Sequence, residues 1–248
     1  MIRSGSKNVE AARHLNVPVG TVSYWLHEDR RRRGTLPGRK ESVCPFCHGA
    51  DLDHPSYAYL LGLYLGDGHI IQPPSHRTPS LMITCSNTWP GLMDECESAM
   101  RAVLPDNSVC RVRRIGCYNV KIYSKHLWCL FPQHGEGKKH ERPIRLEPWQ
   151  QRIIDEYPWE FIRGLIHSDG SRITNWTVRT IAGERKRYEY PRYFFTNTSR
   201  DILRLFTDAL DRVGVEWKSA NQRRAAQNIS VAKRASVALM DAHVGPKY

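Results

Sequence analysis

The sequence predicts an α+β protein in which a unit of roughly 100 residues occurs twice in tandem, behind a small helical segment at the N-terminus. Two observations support this fold. A short motif occurs twice, as LGLYLGDG ending at Gly68 and as RGLIHSDG ending at Gly170, and Asp67 and Asp169 stand 102 positions apart. Each motif is followed by the same succession of patterns: a strand, a turn, an amphipathic helix and a further strand-like run. We therefore interpret the chain as a tandem duplication.

The net positive charge of the chain indicates which kind of molecule it binds. The 248 residues include 37 Lys and Arg against 25 Asp and Glu, which gives a net charge of +12 and a pI near 9.5. This balance suits a partner made of phosphates, because each neutralised phosphate releases condensed counterions. A merely basic soluble protein is the alternative. The basic residues cluster in DRRRRGTLPGRK and GEGKKHERPIR, and this clustering favours nucleic acid.

Targeting signals and cysteine usage set the expected compartment. No apolar run approaches the roughly 18 residues that cross a bilayer, and MIRSGSKNVEAARHL lacks the apolar core of a signal peptide. We therefore expect a cytoplasmic, DNA-associated protein with no membrane segment. The seven cysteines are irregularly spaced and odd in number, which indicates buried thiols or metal ligands and argues against a disulfide framework.

The N-terminal segment, residues 1–33, predicts two helices separated by a break at NVPVG. Two apolar sets are expected to pack between them: Ala11, Ala12 and Leu15 from the first helix, and Val22, Trp25 and Leu26 from the second. The pattern resembles the helix-turn-helix of bacterial repressors and recombinases, whose second helix enters a major groove. A plain helical hairpin is the alternative. The resemblance implies base and phosphate contacts from Thr21, Ser23, Tyr24, Arg30, Arg31, Arg32 and Arg33.

Residues 34–52 are predicted to be a linker, because GTLPGRKESV is rich in glycine, proline and charge. This linker contains CPFCHG, in which the thiolates of Cys44 and Cys47 can bind one ion as half of a zinc site. A redox dithiol is disfavoured by the sequence context, and two buried thiols beside a tight turn remain the alternative. The other zinc ligands stay open among His48, His54, Cys110, Cys117, Cys129, His134 and His140.

The first repeat is predicted over 53–134 and the second over 151–248. In each repeat the motif helix carries small residues four positions apart, which places them on one face of the helix. Small residues at this spacing let two helix backbones approach closely. The predicted helix interface is formed by Gly62 and Gly66 from the first copy and by Gly164 and Ser168 from the second.

The aspartate that follows each apolar helix requires an explanation, because ionised carboxylates are rarely buried unless they are paired or bound to metal. If the helices pack along their small faces, Asp67 and Asp169 meet at the end of the interface. They then repel each other unless a cation lies between them, and Mg²⁺ suits two carboxylates together with phosphate oxygens and water. The alternative is that Asp-Gly only ends a helix, with glycine in the left-handed conformation.

At these residues the sequence resembles the LAGLIDADG homing endonucleases in their single-chain, two-motif form, over residues 53 to 246. The resemblance implies pseudo-twofold αββαββα repeats whose saddle-shaped antiparallel sheets lie over a DNA duplex. It also implies cleavage of both strands with two or more Mg²⁺ ions held by the catalytic acids Asp67 and Asp169. The backbone carbonyls of Gly66 and Ser168 are implied as neighbouring metal contacts. His167 departs from the family pattern, which leaves the detail of helix packing open.

The resemblance also implies a basic residue on a sheet strand near the metals. In NVKIYSK, alternation places Lys121 on the face opposite Val120 and Ile122, so Lys121 is the candidate catalytic lysine. A solvated strand lysine is the alternative. The equivalent position in the second copy is near Ser230, with Lys233 close by, and this asymmetry would mean unequal cutting of the two strands.

The segment between the repeats, 135–150, is predicted to be a second linker. Its lysines Lys138 and Lys139, with Arg142 and Arg145, are expected to contact the DNA backbone, and a solvated tether is the alternative.

These expectations add up to a monomeric, site-specific double-strand DNA endonuclease of the homing type, in effect an internal dimer, with a long pseudo-symmetric target. Two other functions stay open. One is a non-catalytic transcription regulator that combines a LAGLIDADG-like domain with a helix-turn-helix; such regulators tend to lose the acid pair that this chain keeps. The other is an intron maturase that binds RNA on the same scaffold.

Overall fold

The computed structural model describes residues 7–35, 43–74, 77–181, 183–221 and 227–248. The chain forms two compact units, one ending at Glu41 and the other beginning at Ser42. Positions 36–42 of the predicted linker lie outside the described residues. Within the described ranges, no helix is both long and apolar enough to cross a membrane.

The first unit consists of helix α1 (Asn8–His14) and helix α2 (Val19–Arg32). Ala11 and Ala12 pack against Val22, with partial cover from Val17 and Leu26. The prediction that Leu15 and Trp25 are buried between the helices is wrong, because each is 47% exposed. Leu15 follows the last helical residue of α1 as its C-cap, and a helix of two turns covers only a narrow stripe of α2, so Trp25 stays in solvent.

The second unit confirms the predicted αββαββα order, which occurs twice. A short helix, α3 (Pro45–His48), precedes the first copy, and α7 (Pro148–Glu156) precedes the second. The first copy contains α4 (His54–Leu65), β1 (Gly68–Ile71), β2 (Ser80–Ser86), α5 (Pro90–Val103), β3 (Val109–Arg114), β4 (Cys117–Tyr123) and α6 (Leu127–Leu130). The second contains α8 (Pro158–Asp169), β5 (Gly170–Ile181), β6 (Glu184–Asn197), α9 (Arg200–Arg212), β7 (Lys218–Asn221), β8 (Gln227–Val231) and α10 (Arg234–His243).

The two sheets have the same topology. Each is antiparallel, with strand order β1-β2-β4-β3 in the first copy and β5-β6-β8-β7 in the second. The register is also equivalent, since Gly68 pairs with Ile83 where Gly170 pairs with Phe195. Matching side-chain hydrogen bonds join the inner strands, from Thr84 to Asn119 and from Thr196 to Asn228. The two copies therefore share individual side-chain hydrogen bonds as well as their topology.

Helix α4 forms the centre of the second unit. It begins with a cap in which the Asp53 carboxylate accepts the backbone N–H of Ser56, and from Tyr57 to Leu65 every residue is buried. This all-round burial arises because α4 packs against α5, α7, α8 and β1. A helix that is apolar on all sides is stable only when it is enclosed in this way.

The backbones of α4 and α8 lie in direct contact. A Cβ added at Gly164 would lie 2.2 Å from the carbonyl oxygen of Tyr59, and one added at Gly62 would lie 2.6 Å from the carbonyl oxygen of Phe161. Both neighbours are backbone atoms, so no rotamer change can relieve the contact. Glycine at these two positions is therefore what brings the two helices together.

We expect Gly164→Ala to lower the free energy of unfolding by about 1–3 kcal/mol, because the added methyl overpacks this contact. The higher helix propensity of alanine, about 1 kcal/mol, only partly offsets that loss. Thermal and urea unfolding of the full chain would measure the effect. Gly135→Ala is the matched control, because its Cβ would meet its nearest atom, on Arg142, at an ordinary 3.5 Å. Equal stability of the two variants would show that the helices can separate slightly without cost.

Candidate functional site

The two motif aspartates stand where α4 and α8 end. Asp67 precedes β1 and Asp169 is the last residue of α8. The glycines that follow are not left-handed, which removes the simple helix-ending explanation; Gly170, for example, has φ −96° and ψ 171°. A Cβ at Gly68 would lie 2.4 Å from the Cα of Tyr64. The glycine after each acid therefore lets the first strand turn back tightly against its own helix, and this turn fixes the carboxylate at the helix end.

The two carboxylates lie in a shared electrostatic environment. Loss of surrounding water, reinforced by repulsion from Asp169, raises the pKa of Asp67 to about 6. Burial also raises the pKa of Asp169 above its usual value, although the Asn197 side-chain amide donates a hydrogen bond of 2.7 Å to its Oδ2. Lys139 and Lys247 lower both values in part. The two lysines thus offset the negative charge of the acid pair only in part.

A lysine binds the end of each motif helix. The Nζ of Lys139 donates to the carbonyl oxygens of Tyr64 at 2.5 Å, Leu65 at 2.9 Å and Gly66 at 2.5 Å. The Nζ of Lys247 donates to the carbonyl oxygen of Ser168 at 2.8 Å. These carbonyls are the unpaired acceptors at a helix C-terminus, where a cation is favoured. Burial lowers the pKa of Lys139 to about 8 and also lowers that of Lys247.

Two cavities open at the acid pair. One, of about 410 Å³, is lined by Asp169, Gly66, Lys139, Asn197 and His69, among others. The other, of about 280 Å³, is lined by Asp67, Ser168, Lys247 and Cys85, among others. Each cavity combines one carboxylate, the residue before the acid in the other repeat, and one lysine. The site therefore consists of two half-sites with the same composition of charge.

The lysines that the sequence predicted to be catalytic or DNA-binding lie in different parts of the structure. Lys121 lies on β4, between the fully buried Val120 and Ile122, and therefore points to the opposite face of the sheet. Lys138 is exposed and pairs with Glu141 at 3.3 Å. Lys139 donates to the carbonyls at the end of α4, and its expected contact with the DNA backbone stays a prediction. A catalytic role for Lys121 stays a prediction.

Sequence reasoning missed Lys247 and Asn197 altogether. A signal for Lys247 was present: Lys139 and Lys247 each follow the last helix of their repeat, α6 and α10. Asn197 is the last residue of β6, and by strand register its counterpart in β2 is Cys85. Comparing equivalent positions of the two copies, beyond the motifs themselves, would have drawn attention to both.

His167, the departure from the family pattern, is buried within the helix contact. Its Nδ1 lies 2.9 Å from the hydroxyl of Tyr59, and their rings pack edge to face. Burial lowers the pKa of His167 to about 4, so the ring is neutral at neutral pH. It therefore acts as a polar packing residue between α8 and α4.

A second cluster of candidate metal ligands lies away from the acids. Ligand atoms of Cys44, Cys47, His126 and Cys129 all lie within 4.8 Å of one another. Burial and the neighbouring thiols raise the pKa of Cys129 to about 12. Cys129 was among the open ligand candidates, whereas His126 was not.

The chain was compared with known proteins. No protein-family model matches the sequence, and no curated protein matches it significantly. Among solved structures, the homing endonuclease I-DmoI in complex with DNA and Mn matches with TM-score 0.53 and 17% identity, covering 79% of this chain and 98% of I-DmoI. A variant of I-DmoI with its target DNA and Mg matches with TM-score 0.52 and 17% identity, covering 77% and 96%. The chain has the LAGLIDADG homing-endonuclease fold.

The two I-DmoI matches cover most of the chain, 79% and 77% of it. The N-terminal LAGLIDADG domain of WhiA also matches, with TM-score 0.48 and 12% identity over 77% of this chain and 83% of that domain. In this LAGLIDADG fold the two motif helices are α4 and α8, and the acids at their ends are Asp67 and Asp169. At this level of identity the likeness establishes the fold, and the chemistry has to be argued from the site itself.

We expect Asp67→Asn to raise the melting temperature in a chelating buffer at pH 8, because it removes a carboxylate whose ionised form is disfavoured by burial and by repulsion from Asp169. The folded-state pKa of Asp67, about 6, lies above its unfolded value, so the ionised form destabilises the fold. The gain should be largest above pH 6 and vanish below about pH 4, where the carboxyl is protonated in both states. Asp106→Asn removes the same charge from a surface loop and controls for net charge. A melting temperature that is unchanged or lower would contradict the repulsion.

Proposed function

We propose that the chain is a metal-dependent DNA endonuclease of the homing type, which cuts both strands at a long, pseudo-symmetric target. The observation that supports this best is the pair of cavities at the ends of α4 and α8. Each offers a carboxylate for a cation and a lysine for a phosphate, in surroundings that strengthen both interactions. Two half-sites of like composition suit the two phosphodiester bonds of a duplex.

The donor set fits a hard divalent cation. Carboxylate and backbone carbonyl oxygens are the ligands that Mg²⁺ and Mn²⁺ favour. We propose that Asp67 and Asp169, with the carbonyls of Gly66 and Ser168, hold two or more Mg²⁺ ions. Metal bound there would lower the pKa of an attacking water and stabilise charge on the phosphate. The complexes of I-DmoI with DNA and Mn or Mg support a divalent metal.

Lys139 and Lys247 are proposed as the basic residues of the two half-sites. Each Nζ donates to one lone pair of the carbonyl proposed as a metal contact, Gly66 or Ser168, which leaves the second lone pair of that oxygen for the metal. A positive charge at that point faces any phosphate that enters the cavity, and it offsets charge that develops when the phosphodiester is attacked. The lowered pKa of Lys139, about 8, would let this lysine exchange a proton with water near neutral pH.

The long hairpin of β5 and β6 is proposed to contact the duplex. Its free end extends beyond the residues that pair with β8. Arg187 lies over the ring of Trp176 at 5.1 Å, and Arg192 lies over the ring of Tyr190 at 5.0 Å. Arginines held against aromatic rings are pre-organised for phosphate and base contacts. Lys138, exposed in the segment between the repeats, is proposed to add a phosphate contact.

The N-terminal unit is proposed to extend the footprint as a helix-turn-helix-like element. Ser23 and Tyr24 are exposed on α2, and Thr21 is half-buried; the Ser23 hydroxyl also accepts a hydrogen bond from Asn8 at 3.2 Å. The basic run that ends the helix, Arg30, Arg31, Arg32 and Arg33, would bind phosphate, although Arg31 and Arg33 also pair with Glu28 and Asp29. Binding by the whole chain, as a monomer, should weaken steeply with salt.

The test of the proposal is cleavage of a pooled genomic library with Mg²⁺, with sequencing of the new DNA ends. We expect recurrent double-strand ends from the wild type and none from Asp67→Asn/Asp169→Asn, because the variant lacks both charged ligands. Asp106→Asn should cut like the wild type. Fragments that are retained reproducibly without cleavage would favour the transcription regulator, and a preference for folded intron RNA would favour the maturase.

A second experiment separates the two half-sites. On a supercoiled plasmid that carries the target, we expect Lys139→Met to cut one strand and Lys247→Met to cut the other, so that each variant accumulates nicked circles. The reason is that each lysine belongs to one cavity. Lys121→Met is the control, and nearly normal linearisation by this variant is expected. The assignment would be refuted if Lys139→Met or Lys247→Met slowed cleavage of both strands equally. It would also be refuted if nicked circles accumulated only with Lys121→Met.

A further inference from the structure

Four metal-ligating side chains from distant parts of the sequence meet beside α6. Cys44 and His126 directly precede α3 and α6, and Cys47 and Cys129 lie within these helices. One ligand atom from each lies within 4.8 Å of the other three, and the two sulfurs of Cys47 and Cys129 are 3.6 Å apart. Three sulfurs and one imidazole in this arrangement form the donor set of a structural zinc site.

The two halves of the cluster have the same local construction. In each, the first ligand is the N-cap of a four-residue helix, Cys44 for α3 and His126 for α6. The second ligand, Cys47 or Cys129, is the third residue of that helix. This spacing directs both side chains from one turn toward the same point. Gly49, with φ 65° and ψ 29°, then ends α3 in the left-handed conformation, which turns the chain away from the cluster.

The distances distinguish a metal site from a disulfide. Tetrahedral zinc with Zn–S bonds of about 2.3 Å places its sulfurs about 3.8 Å apart, close to the 3.6 Å between Cys47 and Cys129. A disulfide needs about 2.05 Å. The neighbouring His48 has another role, because its Nδ1 accepts the backbone N–H of Cys44 at 3.0 Å. It therefore orients the Cys44 turn and leaves His126 as the imidazole ligand.

We propose that Cys44, Cys47, His126 and Cys129 bind one Zn²⁺ in a closed, structural site that fastens the segment before α4 to the end of the first repeat. Four protein ligands leave no open position for substrate, so the site has no catalytic role. It is separate from the acid pair, whose oxygen ligands suit a harder cation. The inference does not depend on the chain being a nuclease.

The two short helices α3 and α6 need an additional link to hold them together. Helices of four residues have little stability of their own, and Phe46, the large apolar residue of α3, is 46% exposed although its ring lies 4.3 Å from that of Trp149. The carbonyl of Leu130, at the end of α6, accepts a hydrogen bond of 2.6 Å from the buried hydroxyl of Tyr57 on α4. A metal that fixes α3 to α6 therefore also supports the motif helix, since binding energy at such a site is folding energy.

The direct test is the metal content of the full chain, purified without chelator and measured by mass spectrometry. We expect about one zinc ion per chain, retained in Asp67→Asn/Asp169→Asn and in Cys110→Ser, whose cysteine is exposed on β3. Cys47→Ser and Cys129→Ser should each lose the zinc. Replacement by Co²⁺ should give the intense visible absorption of a tetrahedral thiolate site, and this signal should be absent in the same two variants.

A measurement on the wild type alone covers the case in which a variant fails to fold. Stepwise addition of a chelator should release zinc and lower the melting temperature by several degrees, and re-addition of zinc should restore it. The inference is overturned if the wild type holds no zinc. It is also overturned if zinc is lost with the acid pair, or if peptide mapping without reductant shows a disulfide between Cys47 and Cys129.

Discussion

The contact between the backbones of α4 and α8 is the constraint on which the rest of the site depends. Gly62 and Gly164 face each other so closely that neither tolerates a Cβ without backbone movement. This contact aligns two helices that would otherwise be kept apart by side chains. Because both helices end at the same level, two carboxylates and two sets of unpaired carbonyls are brought together, although each helix taken alone would end in solvent.

Bringing these groups together creates an excess of negative charge that the surrounding residues offset only in part. Helix C-termini and carboxylates are both negative, so four unfavourable elements converge. Lys139 and Lys247, which come from outside the motif helices, reduce the charge by binding the carbonyls, yet the pKa of Asp67 remains raised to about 6. Residual negative charge beside open cavities favours a bound cation, which gives a physical reason for the metal dependence proposed for this site.

Much of the fold and part of the candidate site could be predicted from the sequence. Repetition reveals the αββαββα order, and the small residues before each acid reveal which helix faces meet, because both are local patterns. Comparison of the two copies draws attention to Lys247 and Asn197, but no local pattern places these residues, or His126, beside their partners. Each reaches its partner through the tertiary fold, from a chain terminus, a strand end and a short helix. The pattern of a single segment carries no information about such contacts, and the exposure of Trp25 shows the same limit for the N-terminal unit.

The duplication within one chain also frees the two half-sites to differ. A symmetric homodimer would have to use the same residue at both acids. Here the strand position beside Asp169 holds Asn197, which donates to the carboxylate, while the equivalent position beside Asp67 holds Cys85. The thiol of Cys85 is hydrogen-bonded with Cys96, and the pKa of Asp67 is raised to about 6 by burial and by repulsion from Asp169. The asymmetry therefore arises in the residues around the acids, while the acids and the backbone contact that positions them remain the same in both copies.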